Sequence, residues 1–129
     1  MRLNYLKIFK RFWPEAKKIY VDRERFEYVI RQSMKKTNRH EIFSSIHREL
    51  TLAFFLCLDF IRGRYRQISK KHILMIIVGL LYLLNPMDLI PDFIFGIGLM
   101  DDLAVFSYIL TQLKTELDNY ESWRDDFID

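Results

Sequence analysis

Ile73-Leu-Met-Ile-Ile-Val-Gly-Leu-Leu-Tyr-Leu-Leu84 runs for twelve residues without a charge and is closed at once by Asn85-Pro86-Met87-Asp88. A helix that is apolar on every side must be buried, either in protein or in lipid. At about 1.5 Å per residue this one spans only about 18 Å, whereas the hydrocarbon of a bilayer is about 30 Å thick and takes roughly 20 apolar residues to cross. Extending the span to Phe95 takes in Asp88, Asp92 and two prolines. Each Asp would cost roughly 2.5–3.5 kcal/mol at the bilayer centre. The run over residues 50–61 is equally short and carries Asp59. The stretch therefore reads as a helix sheltered by protein neighbours, and a fold class follows. The chain is expected to be all-α, a compact bundle of four or five helices with residues 39–62, 70–84 and 99–120 as its core.

Composition agrees with that expectation. The 129 residues are 50% hydrophobic and 16% aromatic, ample for one packed domain, while 4 Gly and 3 Pro leave little turn material for an all-β fold. Within the single domain, residues 1–44 read as basic amphipathic helices and residues 45–124 as the helical core. Charge is divided along the chain: residues 1–72 carry +11 and residues 73–129 carry −8. Such segregation points to an anionic partner for the basic half or to neutralisation within the fold. Cys57 lies in an apolar run and reads as a small buried hydrophobe, not a reactive thiol. The first apolar stretch is broken by Lys7, Lys10 and Arg11 and lacks a small-residue cleavage site, so no secretory signal is expected.

Upstream of the deciding stretch, Leu3, Leu6, Phe9 and Trp13 fall at helical spacing, with Lys7 and Arg11 opposite. Pro14 is expected to break this helix and start the next. Residues 15–36 form a charged outer helix with a thin stripe of Ile19, Phe26, Val29 and Ile30. Asn38-Arg-His-Glu41 has the spacing of a capping box. The helix after it presents Ile42, Ile46, Leu50, Ala53, Phe54, Cys57 and Ile61 on one face and stops at Gly63, which enters the left-handed region without steric cost. The basic connector Arg62-Gly-Arg64-Tyr-Arg66-Gln-Ile-Ser-Lys70-Lys71 leads to Ser69 as N-cap of the apolar helix. Downstream, Asn85 caps a new turn with Pro86 at its first position, Gly96 and Gly98 loosen the chain, and Asp101-Asp102 open a last helix through about Tyr120.

The segment Tyr82-Leu-Leu-Asn85-Pro86-Met-Asp88-Leu-Ile-Pro91-Asp92-Phe-Ile-Phe95-Gly96-Ile-Gly98-Leu-Met-Asp101-Asp102 resembles the YkvA-like family of bacterial proteins. Its motif has the form Y-x-x-S-P-x-D-L-I-P-D-F-I-P-x-x-G-x-x-D-D. The likeness is dense over residues 82–103, looser from about Leu50 to Trp123, and absent from residues 1–44. Asn85 stands where Ser is usual and keeps capping ability. Phe95 stands where Pro is usual, which loosens the loop before Gly96. The resemblance implies no catalytic residues, since the family is one of unknown function. It does imply membrane association, because its members are frequently predicted to be membrane proteins.

The motif concentrates four carboxylates, Asp88, Asp92, Asp101 and Asp102, in an acidic turn. Read structurally, Asp88 and Asp101 cap helix starts and the others pair with Arg62, Arg64 or Arg66, each contact contributing roughly 0.3–1 kcal/mol if exposed. Read chemically, carboxylates without His or Cys suit a hard divalent cation such as Mg²⁺ or Ca²⁺, with His72 as a titratable companion. His40 and His47, seven apart, form a weaker pair without a third ligand. The basic segments give another reading. Lys7, Lys10 and Arg11 beside aromatics, with Arg62, Arg64, Arg66, Lys70 and Lys71 in the connector, match attachment to anionic lipid. The expectation is thus a non-enzymatic binding or scaffolding protein at the cytoplasmic face of a bacterial membrane, held peripherally, with a multi-pass arrangement as the alternative. Its partner would be the anionic surface or another protein, including a second copy in a homo-oligomer. A cation-binding module or metal-dependent enzyme built on the acidic turn is the alternative function. Nucleic acid is set aside because no reading motif accompanies the basic half.

Overall fold

The computed structural model describes the backbone of residues 5–84 and 95–128, and the side chains of residues 5–84 and 103–126. Six α-helices follow one another: α1 (Tyr5–Tyr20), α2 (Arg23–Arg39), α3 (His47–Ile61), α4 (Lys70–Leu84), α5 (Phe95–Gln112) and α6 (Lys114–Ile128). A 3₁₀ segment, Glu41–Ile46, precedes α3. The described residues contain no strand, so the all-α class holds, with six helices where four or five are expected.

The apolar stretch is α4, and it is sheltered by protein. Ile73, Ile77, Val78, Leu80 and Leu83 have no exposed surface, and Leu74, Ile76 and Leu81 are buried beside them. α1, α2 and α5 all pack against α4, while α3 packs against α2, α5 and α6. Gly79 marks the closest approach. A Cβ placed there would lie 2.8 Å from Ile109 Cδ1 and 3.1 Å from Phe106 Cε1, so its hydrogen lets α5 sit directly on α4. Among the described residues no helix is long and apolar enough to cross a membrane.

Local signals decide several helix ends. Ser69 caps α4, its hydroxyl accepting from the His72 amide at 3.3 Å. Gly63, at φ 76°, ends α3; the amides of Arg64 and Tyr65 fold back onto the Asp59 carbonyl at 2.9 and 3.3 Å. The stripe of Ile19, Phe26, Val29 and Ile30 is buried, as are Leu50, Ala53, Phe54 and Cys57, with Ile42, Ile46 and Ile61 packed at the margin.

Four expected boundaries are corrected. Pro14 lies inside α1, and the break comes at Val21-Asp22, where the Asp22 carboxylate accepts from the Arg25 amide at 3.1 Å. Burial of Phe12, Ala16 and Ile19 on both sides of the proline, at roughly 1.5–3 kcal/mol for a large side chain, outweighs the roughly 3 kcal/mol that an interior proline costs. The same shift of face leaves Leu6 65% exposed. Asn38 is not a cap, because α2 continues through it to Arg39, drawn on by buried Ser33, Lys36 and Thr37; His40 caps the 3₁₀ turn without its side chain. Asp101 and Asp102 do not open a helix, since α5 begins at Phe95 and includes Gly96 and Gly98. Two glycines cost a helix roughly 1 kcal/mol each, less than the burial of Val105, Phe106 and Ile109 further along returns. The last helix is also two: buried Leu113 separates α5 from α6.

Candidate functional site: a cationic pole of the bundle

The connector after α3 is the element that fixes the site. Tyr65 is its anchor, 2% exposed, with its ring 5.1 Å from both Tyr120 and Trp123 of α6. With Tyr65 turned inward, Arg62, Arg64 and Arg66 stay exposed. Burial, then the charge of Glu116, pushes the Tyr65 phenol above its ordinary value. Each arginine keeps its cation near a defined partner. Arg62 approaches Glu27 of α2 at 3.6 Å, Arg64 approaches Asp59 at 3.8 Å, and the Arg66 guanidinium lies 4.8 Å above the Phe60 ring. Glu27 is held below the usual carboxylate range, first by the Arg31 hydrogen bond.

The turn between α1 and α2 meets this connector. Tyr20 at the end of α1 packs on Phe60 with ring centroids 5.8 Å apart, and Lys70 Nζ stands 5.2 Å over the Tyr20 ring. Exposed Lys17, Lys18, Arg23 and Arg25 therefore share one end of the bundle with the connector cations Arg62, Arg64, Arg66, Lys70 and Lys71. The acids at that end include Glu15, paired with Arg25, together with Asp22, Glu24, Glu27, Asp59 and, beside Tyr65 and His72, Glu116. Nine cations thus stand against six acids. At the tip of the turn Val21 is 77% exposed, an apolar residue between Lys18 and Arg23 in the chain.

Sequence reasoning found the connector half of this pole and missed Lys17, Lys18, Arg23 and Arg25. Their charge was visible; the meeting of two turns 40 residues apart was not. Lys7, Lys10 and Arg11 are exposed, but they stand about 14–20 Å back along α1 from Tyr20, on the stretch where Tyr5 stacks on Tyr108 of α5 at 4.1 Å.

The motif residues are only partly visible. Tyr82 is half-buried, its ring edge-on to Phe12 at 6.1 Å. Asn85, Pro86, Asp88, Pro91 and Asp92 lie outside the described residues, as do the side chains of Asp101 and Asp102. The expected partners Arg62, Arg64 and Arg66 have the neighbours named above. His72 Nδ1 is 2.9 Å from Glu116 Oε1 of α6, in the first turn of α4 and about 18 Å along the helix from its last residue, Leu84. His40 precedes the 3₁₀ turn and His47 begins α3, so they share no continuous helical face. Among the described residues no three His, Cys, Asp or Glu side chains converge as metal ligands would. Cys57 is fully buried, and burial pushes its thiol far up, away from thiolate chemistry.

At the root of the motif stands a residue from the helix read as charged and outer. Lys36 of α2 is 6% exposed, and its Nζ donates to the Leu83 carbonyl at 2.5 Å. A cation at the carboxyl end of α4 complements the negative pole of that helix.

The family described as "Protein of unknown function (DUF1232)" matches residues 72–108. An "Uncharacterized membrane protein YkvA" of Bacillus subtilis (strain 168) is 37% identical over 91 residues, covering 70% of this chain and 82% of that protein. The chain belongs to the YkvA-like family. No solved structure matches it. The segment shared with the YkvA-like family model takes in α4 from His72 and most of α5. The pole lies outside the span of that family model, while its connector half, residues 62–71, falls within the stretch matched to the Bacillus relative. The relative's name agrees with the membrane association implied by the motif.

Proposed function

We propose that this YkvA-like protein is a peripheral, non-enzymatic binding protein of the anionic, cytoplasmic membrane surface, and that it docks through the pole formed by the α1–α2 turn and the α3–α4 connector. One observation carries the reading: two basic segments far apart in sequence, 17–25 and 62–71, meet at the end of the bundle where Val21 is exposed. Cations near an anionic bilayer surface contribute about 1 kcal/mol each, and a small apolar tip adds insertion. The sheltered α4 supports attachment to the surface over passage through it.

Flotation of the full chain with phosphatidylglycerol-containing vesicles tests this. Binding is expected at low salt and release at about 0.5 M, where screening shortens to a few ångströms. Replacing Lys17, Lys18, Arg23 and Arg66 by Gln should remove about 4 kcal/mol of attraction, roughly a thousand-fold in partitioning. Replacing Lys7, Lys10 and Arg11 by Gln should leave most of the binding. Equal flotation of the pole variant and the parent would overturn the proposal.

A further inference from the structure

Beside the pole, between the end of α3 and α6, lies a cavity of about 270 Å³ whose lining includes Arg62, Arg64, Arg124, Asp59, Phe55 and Trp123. Its guanidinium groups come from two elements. Arg62 and Arg64 flank the Gly63 turn, and Arg124 projects from α6 with its Cζ 4.6 Å above the Phe55 ring. The lone acid is already engaged, because the Tyr120 hydroxyl donates to Asp59 Oδ2 at 2.5 Å. The arginines are held more loosely: Arg62 and Arg64 are ion-paired to Glu27 and Asp59 at 3.6 and 3.8 Å, beyond hydrogen-bond length. Among the described residues Arg124 has no carboxylate within ion-pair distance. Three arginines lining one concavity are suited to a tetrahedral oxyanion, which guanidinium binds with paired N–H donors. Three cations against one carboxylate leave a charge of +2, matching a phosphomonoester dianion better than a diester monoanion. The volume falls below the roughly 300–1,000 Å³ of pockets for drug-sized ligands, which fits a headgroup. Phe55 and Trp123 form an apolar wall where a glycerol or acyl root would lie, a position that aromatic residues favour at membrane interfaces.

We infer that the cavity bounded by Arg62, Arg64 and Arg124 binds a phosphomonoester group. This rests on the membrane-surface reading, which it sharpens by naming the headgroup chemistry. The test uses the full chain carrying Trp13→Phe, which leaves Trp123 as its one tryptophan. Its emission is followed during titration with dihexanoyl phosphatidic acid, glycerol 3-phosphate and inorganic phosphate, with dihexanoyl phosphatidylglycerol as the diester control.

A saturable response to the monoesters, weaker for the diester, is expected. Arg124→Gln should raise the dissociation constant about ten-fold or more, as loss of a charge-assisted hydrogen bond does. Arg64→Gln provides the second variant, and circular dichroism checks that both remain folded. Glycerol 3-phosphate binding as tightly as the lipid would support a site for soluble phosphomonoesters; much tighter lipid binding would support a headgroup site. A silent Trp123, or affinities unchanged in both variants, overturns the inference while leaving pole-dependent flotation intact. Conversely, a responding Trp123 with pole-independent flotation overturns the membrane reading and leaves the site.

Discussion

Tyr120 shows how a single hydroxyl ties α6 to α3. Its ring has no exposed surface, and its proton is given to Asp59 Oδ2 at 2.5 Å. Burial, and then the hydrogen bond and charge of Asp59, push the phenol far above its ordinary value, so it remains a donor throughout the accessible pH range. Tyr120→Phe should leave a carboxylate only 17% exposed short of a donor, at a cost of about 1–3 kcal/mol. Urea unfolding measures this as a lower midpoint with an unchanged slope; no change in midpoint would mean that water satisfies Asp59 instead. Nothing local announces the pair. Asp59 is legible only as a charge interrupting an apolar run, and its partner is 61 residues away. Lys36 escapes in the same way, since a lysine in a charged helix gives no sign of the carbonyl waiting on another helix. Cys57 is read correctly because its neighbours in sequence are also its neighbours in the core.

Among the elements, α4 governs the fold, and Gly79 governs how closely α5 approaches it. Gly79→Ala should gain up to about 1 kcal/mol of helix propensity. It should lose about 1–3 kcal/mol to overpacking against Ile109 and Phe106, which are 1% and 2% exposed. The net expectation is a loss of about 1 kcal/mol, which lowers Tm by roughly 3–6 °C in a chain of this size. Thermal unfolding by circular dichroism checks it, and a raised Tm would show that α4 and α5 have room to spare. Helix identity was legible where burial had a period, as in the α2 stripe, and where an uncharged run was too short to span a bilayer, as in α4. Helix ends were legible where one residue carried the stop, as at Gly63 and Ser69. They were misread where tertiary burial overrode a local breaker: Pro14 inside α1, Asn38 inside α2, and Gly96 and Gly98 inside α5.

For the whole molecule, the division of charge into a basic first half and an acidic second half was visible from composition, but its place in space was not. Folding sets part of the basic half against acids of the second half, as in the ion pair of Arg48 with Glu121. Another part, residues 17–25 and 62–71, is gathered at the pole. Composition cannot separate these two fates, because both depend on which turns meet. The family motif was legible as a pattern, and Asp88 and Asp92 lie outside the described residues, so the pole became the better-defined surface. Hydrogen–deuterium exchange of the full chain, with and without phosphatidylglycerol vesicles, bears directly on an α4 sheltered by protein and a bundle that meets lipid at one end. Amides of residues 73–84 should be strongly protected without lipid and unchanged by it, while 17–25 and 62–71 gain protection on vesicles. Rapid exchange across 73–84 in the lipid-free protein, becoming protected only on vesicles, would contradict this and place α4 in the bilayer.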